Sequence, residues 1–204
     1  TGVQTCALPI FPEYARTKYT NHRIENLRYS MGLFVAYFGT RRSYPDCAHH
    51  TILLGPRYKE LLDDIFTRKR LAADFSLYLH RPTATDPSLG PGEGDTFYVL
   101  SPVPHLGSAQ PVDWTQEGTR YRDRIYKMLD ETVLPGMLQS LGTTRHITPL
   151  TFRDELSSLY GSGFSVEPIL GQDKAADMLG EMAREARDLG RQFKHACEMR
   201  IIRI

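Results

Sequence analysis

Four short segments rich in aromatic and β-branched residues, each closed by glycine or proline, constrain the fold of this chain most. Such segments are typical of buried strands, and residues with turn chemistry separate them. A chain that spaces four strands in this way is expected to build its core around a sheet. The predicted strands are Tyr29–Phe38, His49–Leu54, Phe75–Leu79 and Thr96–Leu100.

Two amphipathic helices are predicted beside these strands. From Tyr58 to Phe66, apolar residues recur at i, i+3, i+4, i+7 and i+8, which makes one apolar stripe. The acidic pair Glu60 and Asp64 lies on the opposite side and is expected to be solvated. A second stripe runs from about Thr115 to Val133. The remaining predicted elements are a strand near Ile147–Leu150, a short helix from an N-cap at Thr151 to Leu159, and an amphipathic helix from Gln172 to Cys197.

The composition narrows the class of protein further. The chain carries 25 basic and 24 acidic residues, so its net charge of +1 gives no electrostatic reason to expect nucleic acid as a partner. Three cysteines, Cys6, Cys47 and Cys197, are far apart and odd in number. That spacing predicts neither a disulfide framework nor a zinc knuckle, and a reducing cytoplasm is the simplest interpretation. The sequence therefore predicts an α+β fold: a mixed sheet with flanking helices and a C-terminal amphipathic helix.

Two glycine clusters are candidates for nucleotide-binding turns. Such a turn follows a strand and opens a helix, so that backbone amides meet the phosphates. The run from Gly90 to Gly94 lies between two strands, has the wrong spacing, and contains Pro91, which lacks an amide donor. It is expected to be a surface loop. Gly161 and Gly163 are weak evidence alone, although glycines there would permit close backbone approach to a ligand.

The histidines invite a metal interpretation, which the spacing argues against. On a strand, His49 and His50 point to opposite faces, so we expect them not to share an ion. No cysteine or carboxylate stands at ligand spacing near His80 or His105. These histidines are expected to be ordinary polar or capping residues, and no metal site is predicted. Composition and spacing alone predict an α+β domain and indicate no particular function for it.

Six sequence blocks resemble the bacterial carotenoid (phytoene) desaturases, in the order and roughly the spacing of that family. Together they extend over about residues 11–170 and imply the substrate-side domain of an internal fragment of such an enzyme. The blocks are residues 29–40 (YSMGLFVAYFGT), 44–58 (YPDCAHHTILLGPRY), 73–88 (ADFSLYLHRPTATDPS), 97–107 (FYVLSPVPHLG), 148–154 (TPLTFRD) and 161–170 (GSGFSVEPIL).

The resemblance implies a flavin amine-oxidase-like two-domain fold and an FAD-dependent dehydrogenation of a C40 polyene such as phytoene. The family passes hydride from the polyene to the flavin, so the cofactor carries the chemistry. A hydrocarbon offers no hydrogen bonds, so its tunnel is expected to be apolar and shaped. The complete enzyme would be cytoplasmic and peripheral to the inner membrane that holds its substrate. Strand aromatics that could line the tunnel are Phe34, Tyr37, Phe38, Phe75, Tyr78, Phe97 and Tyr98.

Polar and aromatic residues at the ends of matched segments are the candidates for the substrate site. They are His80, Arg81, His105, Arg153, Asp154 and Phe164. No catalytic or metal-binding residue is assigned. No cofactor-binding residue is assigned either, because the family's Gly-rich dinucleotide-binding turn and its second glycine-rich flavin motif have no match here. We therefore expect this chain alone to bind no flavin and to be inactive.

Both ends of the chain depart from the family. Residues 1–10 resemble the translation of a sequencing-adapter read-through and are expected to be a non-native leader. Residues 171–204 are expected to form a divergent helical tail, for which a frameshift, a mis-joined read or a divergent end would each account. Two other functions stay open. One is a sister carotenoid oxidoreductase with another polyene substrate, and the other is a non-enzymatic lipid-binding or interaction module.

Overall fold

The computed structural model describes residue 14 and residues 20–108, 111–167 and 199–204. Six strands form one mixed sheet in the order β5-β1-β4-β3-β2-β6. All neighbouring strands pair antiparallel except β2 and β6, which are parallel. The strands are β1 (Gly32–Thr40), β2 (His50–Leu54), β3 (Ser76–His80), β4 (Thr96–Val103), β5 (Leu141–Ile147) and β6 (Met199–Arg203).

Five helices accompany the sheet in the described part of the chain. This agrees with the predicted combination of a mixed sheet and flanking helices. They are α1 (Asn21–Glu25), α2 (Tyr58–Phe66), α3 (Trp114–Thr132), α4 (Met137–Ser140) and α5 (Pro149–Asp154). Short 3-10 turns occupy Pro82–Ala84, Pro87–Leu89 and Leu159–Gly161. The four predicted strands and the predicted helices Tyr58–Phe66 and about Thr115–Val133 lie within a few residues of the observed elements.

The predictions between residues 141 and 159 were wrong in their boundaries. The strand there is Leu141–Ile147, not Ile147–Leu150. The prediction missed it because β5 is an edge strand whose polar residues hide the apolar alternation. Helix α5 starts at Pro149 with Thr148 as its N-cap, whereas Thr151 is the third helical residue and closes a capping box with Thr148.

Of the two predicted end segments, only the last six residues of the C-terminal one are described. The predicted leader 1–10 and the predicted helix from Gln172 to Cys197 lie outside the described residues. Within the predicted tail, Met199–Arg203 forms strand β6 and pairs with β2, which the sequence pattern did not predict.

One face of the sheet packs against α3 and forms the core. Alternate residues of β1 and β4 on this face are fully buried. Phe34 stacks on Trp114 and meets Tyr121 edge-on, both in α3. Phe38 meets Tyr126 at a ring-centroid distance of 5.1 Å. Large rings dominate the core because they bury the most apolar area per residue. Further core residues are Leu53, Leu77, Leu79, Phe97, Val99, Ile125 and Leu129.

The polar side of α2 is not fully solvated, which corrects the expectation for Asp64. Its side chain is only 2% exposed, and guanidinium groups surround its carboxylate. The Nε of Arg70 donates to Oδ1 at 2.8 Å, and Arg68 donates to the same oxygen at 3.1 Å. The hydrogen bond from Arg70 and the nearby guanidiniums hold the pKa of Asp64 below its usual value. Asp64 therefore anchors α2 rather than serving as a solvated acid.

A buried ion pair fixes one end of the sheet. Arg81, directly after β3, lies 3.3 Å from Asp95, directly before β4, and both side chains are at most 10% exposed. The Asp95 carboxylate also accepts from the amide of Tyr44 at 2.6 Å and from the hydroxyls of Ser43 and Thr83. Two connections of the sheet, β1–β2 and β3–β4, thus converge on one carboxylate.

Replacing Asp95 with alanine should lower the free energy of unfolding by about 3–5 kcal/mol, because the buried Arg81 would lose its counter-charge. Urea denaturation followed by circular dichroism measures this. The matched control is Asp123→Ala, whose exposed pair with Arg122 (2.8 Å) should change stability by less than about 1 kcal/mol. Equal losses in the two variants would contradict a special role for the buried pair.

Candidate functional site

The face of the sheet opposite α3 carries a row of aromatic side chains. The strand registers place Tyr37 opposite Tyr98, Tyr98 opposite His80, and His80 opposite His50. Because side chains alternate along a strand, these four residues share one face. Tyr78 lies two residues from His80 on the same face. We call Tyr37, Tyr78, Tyr98, His50 and His80 the aromatic face.

The rings of the aromatic face form a continuous set of contacts. The centroid of Tyr98 lies 6.0 Å from Tyr37, 5.8 Å from Tyr78 and 4.7 Å from His80. Tyr37 is 42% exposed, and the other four members are half-buried. An open cleft of about 760 Å³ adjoins Tyr37 and is also lined by Leu89, Thr96 and Arg145, among others.

Three histidines meet at one end of the aromatic face, which corrects the sequence-based argument against this grouping. His49 precedes β2 and lies in a bend, so strand alternation does not apply to it. Its Nε2 lies 2.7 Å from the Nε2 of His80. One ring nitrogen each of His49, His50 and His80 lies within 4.8 Å of the others.

These histidines are held in the neutral form. Burial, and then the charges of His49 and His50, lower the pKa of His80 to about 4. Burial likewise lowers the pKa of His49, with a contribution from Arg81, and that of His50, with a contribution from His49. Hydroxyl groups contact two of the rings: Thr85 meets Nδ1 of His49, and Tyr78 lies 2.6 Å from Nδ1 of His50.

The six predicted site residues do not come together. His80 and Arg81 lie at the end of the sheet where β3 finishes, and His105 follows β4 at the other end. From Tyr98, opposite His80, to the end of β4 at Val103 is roughly 16 Å at about 3.3 Å per residue. The predicted set therefore divides between two ends of the sheet.

Arg81 contributes to structure rather than to an open site. Its guanidinium is buried, pairs with Asp95 and donates to the carbonyl of Tyr44. Its backbone amide also donates to the carbonyl of His49 at 2.9 Å. Arg81 thus sets the position of His49, while its own charged group points into the fold.

At the other end, His105 lines a small cavity. Its ring lies 5.9 Å from that of Tyr160, and its Nδ1 accepts from the amide of Gly107 at 2.9 Å. Burial, and then Lys69, lower the pKa of His105. The cavity measures about 200 Å³, and Tyr29, Lys69 and Tyr160 also line it.

The last three predicted residues lie near this end but not in that cavity. Arg153 and Asp154 form a bidentate pair with each other at the end of α5, at 2.6 and 3.0 Å, and both are at least half exposed. Phe164 is 62% exposed, and its amide donates to Ser30 Oγ at 2.9 Å. No described contact joins these residues to His80.

The strand aromatics also divide by face. Phe34, Phe38 and Phe97 belong to the core under α3, and Phe75 packs on Tyr121 at 5.3 Å. Only the three tyrosines of that set lie on the aromatic face. Applying the two-residue alternation to each strand would have separated the two groups. The residues that sequence reasoning left out of the site are His49 and His50.

Curated relatives are identical to this chain at up to slightly more than half of the aligned positions. It is 54% identical over 149 residues to the lycopene-forming phytoene desaturase of Pseudescherichia vulneris, covering 73% of this chain and 30% of that protein. It is 48% identical over 158 residues to the neurosporene-forming enzyme of Cereibacter sphaeroides (76% and 30%). It is 32% identical over 163 residues to the all-trans-zeta-carotene desaturase of Myxococcus xanthus (78% and 30%). No protein-family model matches the chain.

The chain belongs to the bacterial phytoene desaturase family. It spans about 30% of the length of the relatives that it matches, and the resemblance recognised in the sequence is thereby confirmed. Among the helices of the described ranges, none combines the length and the apolar character needed to cross a membrane.

Three of the described glycines serve close contacts within the protein and not a flavin-binding turn. A Cβ at Gly161 would lie 2.1 Å from the carbonyl oxygen of Pro149, and one at Gly163 would lie 2.3 Å from Leu33. At Gly94 it would lie 1.7 Å from the carbonyl oxygen of Thr40. These glycines let protein segments approach each other, so in this part of the chain they form no cradle for a pyrophosphate.

In protein treated with a chelator, the pKa of His80 should be about 4 instead of 6.5. An NMR titration of its ring protons measures this. The unfolded chain binds this proton at the ordinary pKa, so the free energy of unfolding should fall as the pH decreases from about 6.5 to about 4. His80→Gln should make that fall shallower. A midpoint near 6.5 in the folded chain would contradict the burial argument.

Proposed function

We propose that this chain forms the substrate side of an FAD-dependent desaturase that dehydrogenates a long polyene in carotenoid biosynthesis, with the aromatic face turned toward the hydrocarbon. The family membership supports the reaction class. The row of half-exposed tyrosines across β1, β4 and β3 is the observation that supports the position of the substrate.

The chemistry of a polyene favours a surface of this kind. A hydrocarbon offers nothing to hydrogen-bond, so its recognition depends on shape and on contact with flat, polarisable groups. Tyr37, Tyr98 and Tyr78 present such rings at spacings of 5.8–6.0 Å. The core rings under α3 are fully buried and offer no comparable contact.

The flavin enters this proposal only through the family. Phytoene desaturases are FAD-dependent in general, but the described glycines do not form a pyrophosphate cradle. We therefore derive no step through the flavin from these residues. A flavin amine-oxidase-like fold for the complete enzyme, and its attachment to the cytoplasmic surface of the inner membrane, belong to the same proposal.

A sister activity is the second candidate, and one comparison favours it. The 32% identity to the all-trans-zeta-carotene desaturase of Myxococcus xanthus extends over 78% of this chain. Similar substrate sides therefore occur in proteins whose names give different polyenes. The product spectrum of an active chimera would separate the two candidates. Binding of polyene in the absence of any desaturase activity would favour a lipid-binding module.

A chimera tests the proposed function directly. Residues 20–167 replace the matching segment of the Pseudescherichia vulneris enzyme, and the chimera is expressed in cells that make phytoene. We expect coloured carotenoids, detected by absorption after extraction. Tyr37→Ala combined with Tyr98→Ala should reduce the desaturation rate about tenfold, or about 1.4 kcal/mol, because two ring contacts are lost.

The control for this chimera is Tyr58→Ala. Tyr58 lies on α2 and is 44% exposed, close to the 42% of Tyr37, but it is not on the aromatic face. Its replacement should leave the rate unchanged. An equal loss in both variants, at equal protein levels, would refute the assignment of the substrate to the aromatic face.

For the 204-residue chain by itself, we expect purification without flavin. The absorption spectrum of the purified protein, taken before and after incubation with FAD and desalting, measures this. Stoichiometric retention of flavin would overturn this expectation and would require a cradle outside the glycines described above.

A further inference from the structure

We propose that His49, His50 and His80 form a binding site for a divalent transition-metal ion, with Zn²⁺ as the reference ion. One ring nitrogen of each residue lies within 4.8 Å of the others. His50 and His80 also belong to the aromatic face, but the proposal does not depend on the polyene reaction, since its test uses metal binding alone.

The distances are close to those that a metal requires. Zinc binds imidazole nitrogen at about 2.0–2.1 Å, so tetrahedral ligands lie about 3.3 Å from one another. The Nε2 atoms of His49 and His80 are 2.7 Å apart, and all three ligand atoms lie within 4.8 Å of one another. Small rotations of the side chains would bring the three nitrogens to equal spacing.

The backbone holds the three residues in place. His50 and His80 are directly opposite each other in the β2–β3 ladder, so their side chains leave the sheet together. His49 is fixed by its carbonyl, which accepts from the amide of Arg81 at 2.9 Å. Two ligands on paired strands and a third tied to them make a site with little freedom to disperse.

The hydrogen-bond partners of two rings suit metal binding. Metal-binding histidines commonly use the other ring nitrogen for a hydrogen bond that orients the ring. Here Thr85 contacts Nδ1 of His49 and Tyr78 contacts Nδ1 of His50, which assigns the Nε2 atoms of both rings to the metal. The Nε2 atoms of His49 and His80 face each other at 2.7 Å, and a bound ion would replace this hydrogen bond. In His80 the buried Nδ1 has no hydrogen-bond partner.

Electrostatics also favour a neutral ligand set. Metals bind the neutral imidazole, and burial disfavours the protonated form of all three rings. The charge of Arg81 acts on His49, but it is offset by Asp95 at 3.3 Å. At neutral pH a metal ion therefore does not have to compete with protonation of these three rings.

The donor type restricts the ion. Three imidazoles without a carboxylate suit Zn²⁺, Cu²⁺, Ni²⁺ or Co²⁺, whereas Mg²⁺ and Ca²⁺ need oxygen ligands. Three ligands leave a fourth position open for water or another small ligand. Cys47, although close in sequence, is not part of the cluster, and its buried thiol contacts the carbonyl of Ala48 and the hydroxyl of Thr51.

The test is a calorimetric titration with Zn²⁺. The full 204-residue chain, made without a polyhistidine tag and treated with chelator, should bind one Zn²⁺. His49→Gln and His80→Gln should each weaken the affinity at least tenfold. NMR should show the ring signals of His49, His50 and His80 shifting together on addition of Zn²⁺.

His22→Gln is the control, since His22 lies on the exposed helix α1, outside the cluster, and its loss should not change the affinity. His49→Gln keeps the test valid if the His80 variant fails to fold, because His49 lies outside the β2–β3 ladder. Absence of Zn²⁺ binding by the folded chain, or equal affinity in the wild type and His49→Gln, would overturn the proposal.

Discussion

The antiparallel register of β1, β4, β3 and β2 is the constraint on which the rest of the structure depends. It brings alternate residues of four strands into two opposed rows, one buried under α3 and one carrying the tyrosines and histidines. A slip of one residue in any pair would exchange these rows. Core packing therefore fixes the aromatic face as well, since Phe34 and Phe38 cannot leave the core without turning Tyr37 away from Tyr98.

The connections at one end of the sheet extend this constraint to residues outside the strands. Asp95 joins the segments that follow β1, follow β3 and precede β4, and Arg81 ties the same region to His49. The histidine trio thus depends on a buried ion pair whose own groups face inward. The Asp95 carboxylate of that pair accepts further hydrogen bonds, which fix the geometry at this end of the sheet.

Much of the fold could be predicted from the sequence, and the failures have physical causes. The stripe from Tyr58 to Phe66 and the long helix after Asp113 were clear because many apolar positions repeat. Strand β5 was misplaced because an edge strand needs few apolar residues. Strand β6 was missed because its pairing with β2 joins residues far apart in the chain.

The candidate site was predictable only in part. His80 was selected because it ends a strand, but the contribution of His49 depends on a bend before β2 that no periodic pattern shows. Arg81 and Asp64 were misjudged because burial of a charge depends on partners distant in sequence. His105 was grouped with His80 as a strand-end residue, although antiparallel strands finish at opposite ends of a sheet, and Arg153 was added because it lies near a predicted helix start.

The single tryptophan has a useful location. Trp114 is 3% exposed and stacks near Phe34 on the core side of the sheet, so the sheet separates it from the aromatic face. Its intrinsic fluorescence therefore senses whether α3 is docked, and it has no direct contact with anything bound to the tyrosines. A variant that retains the native emission spectrum has kept its core, and any defect in ligand binding then belongs to the other side of the sheet.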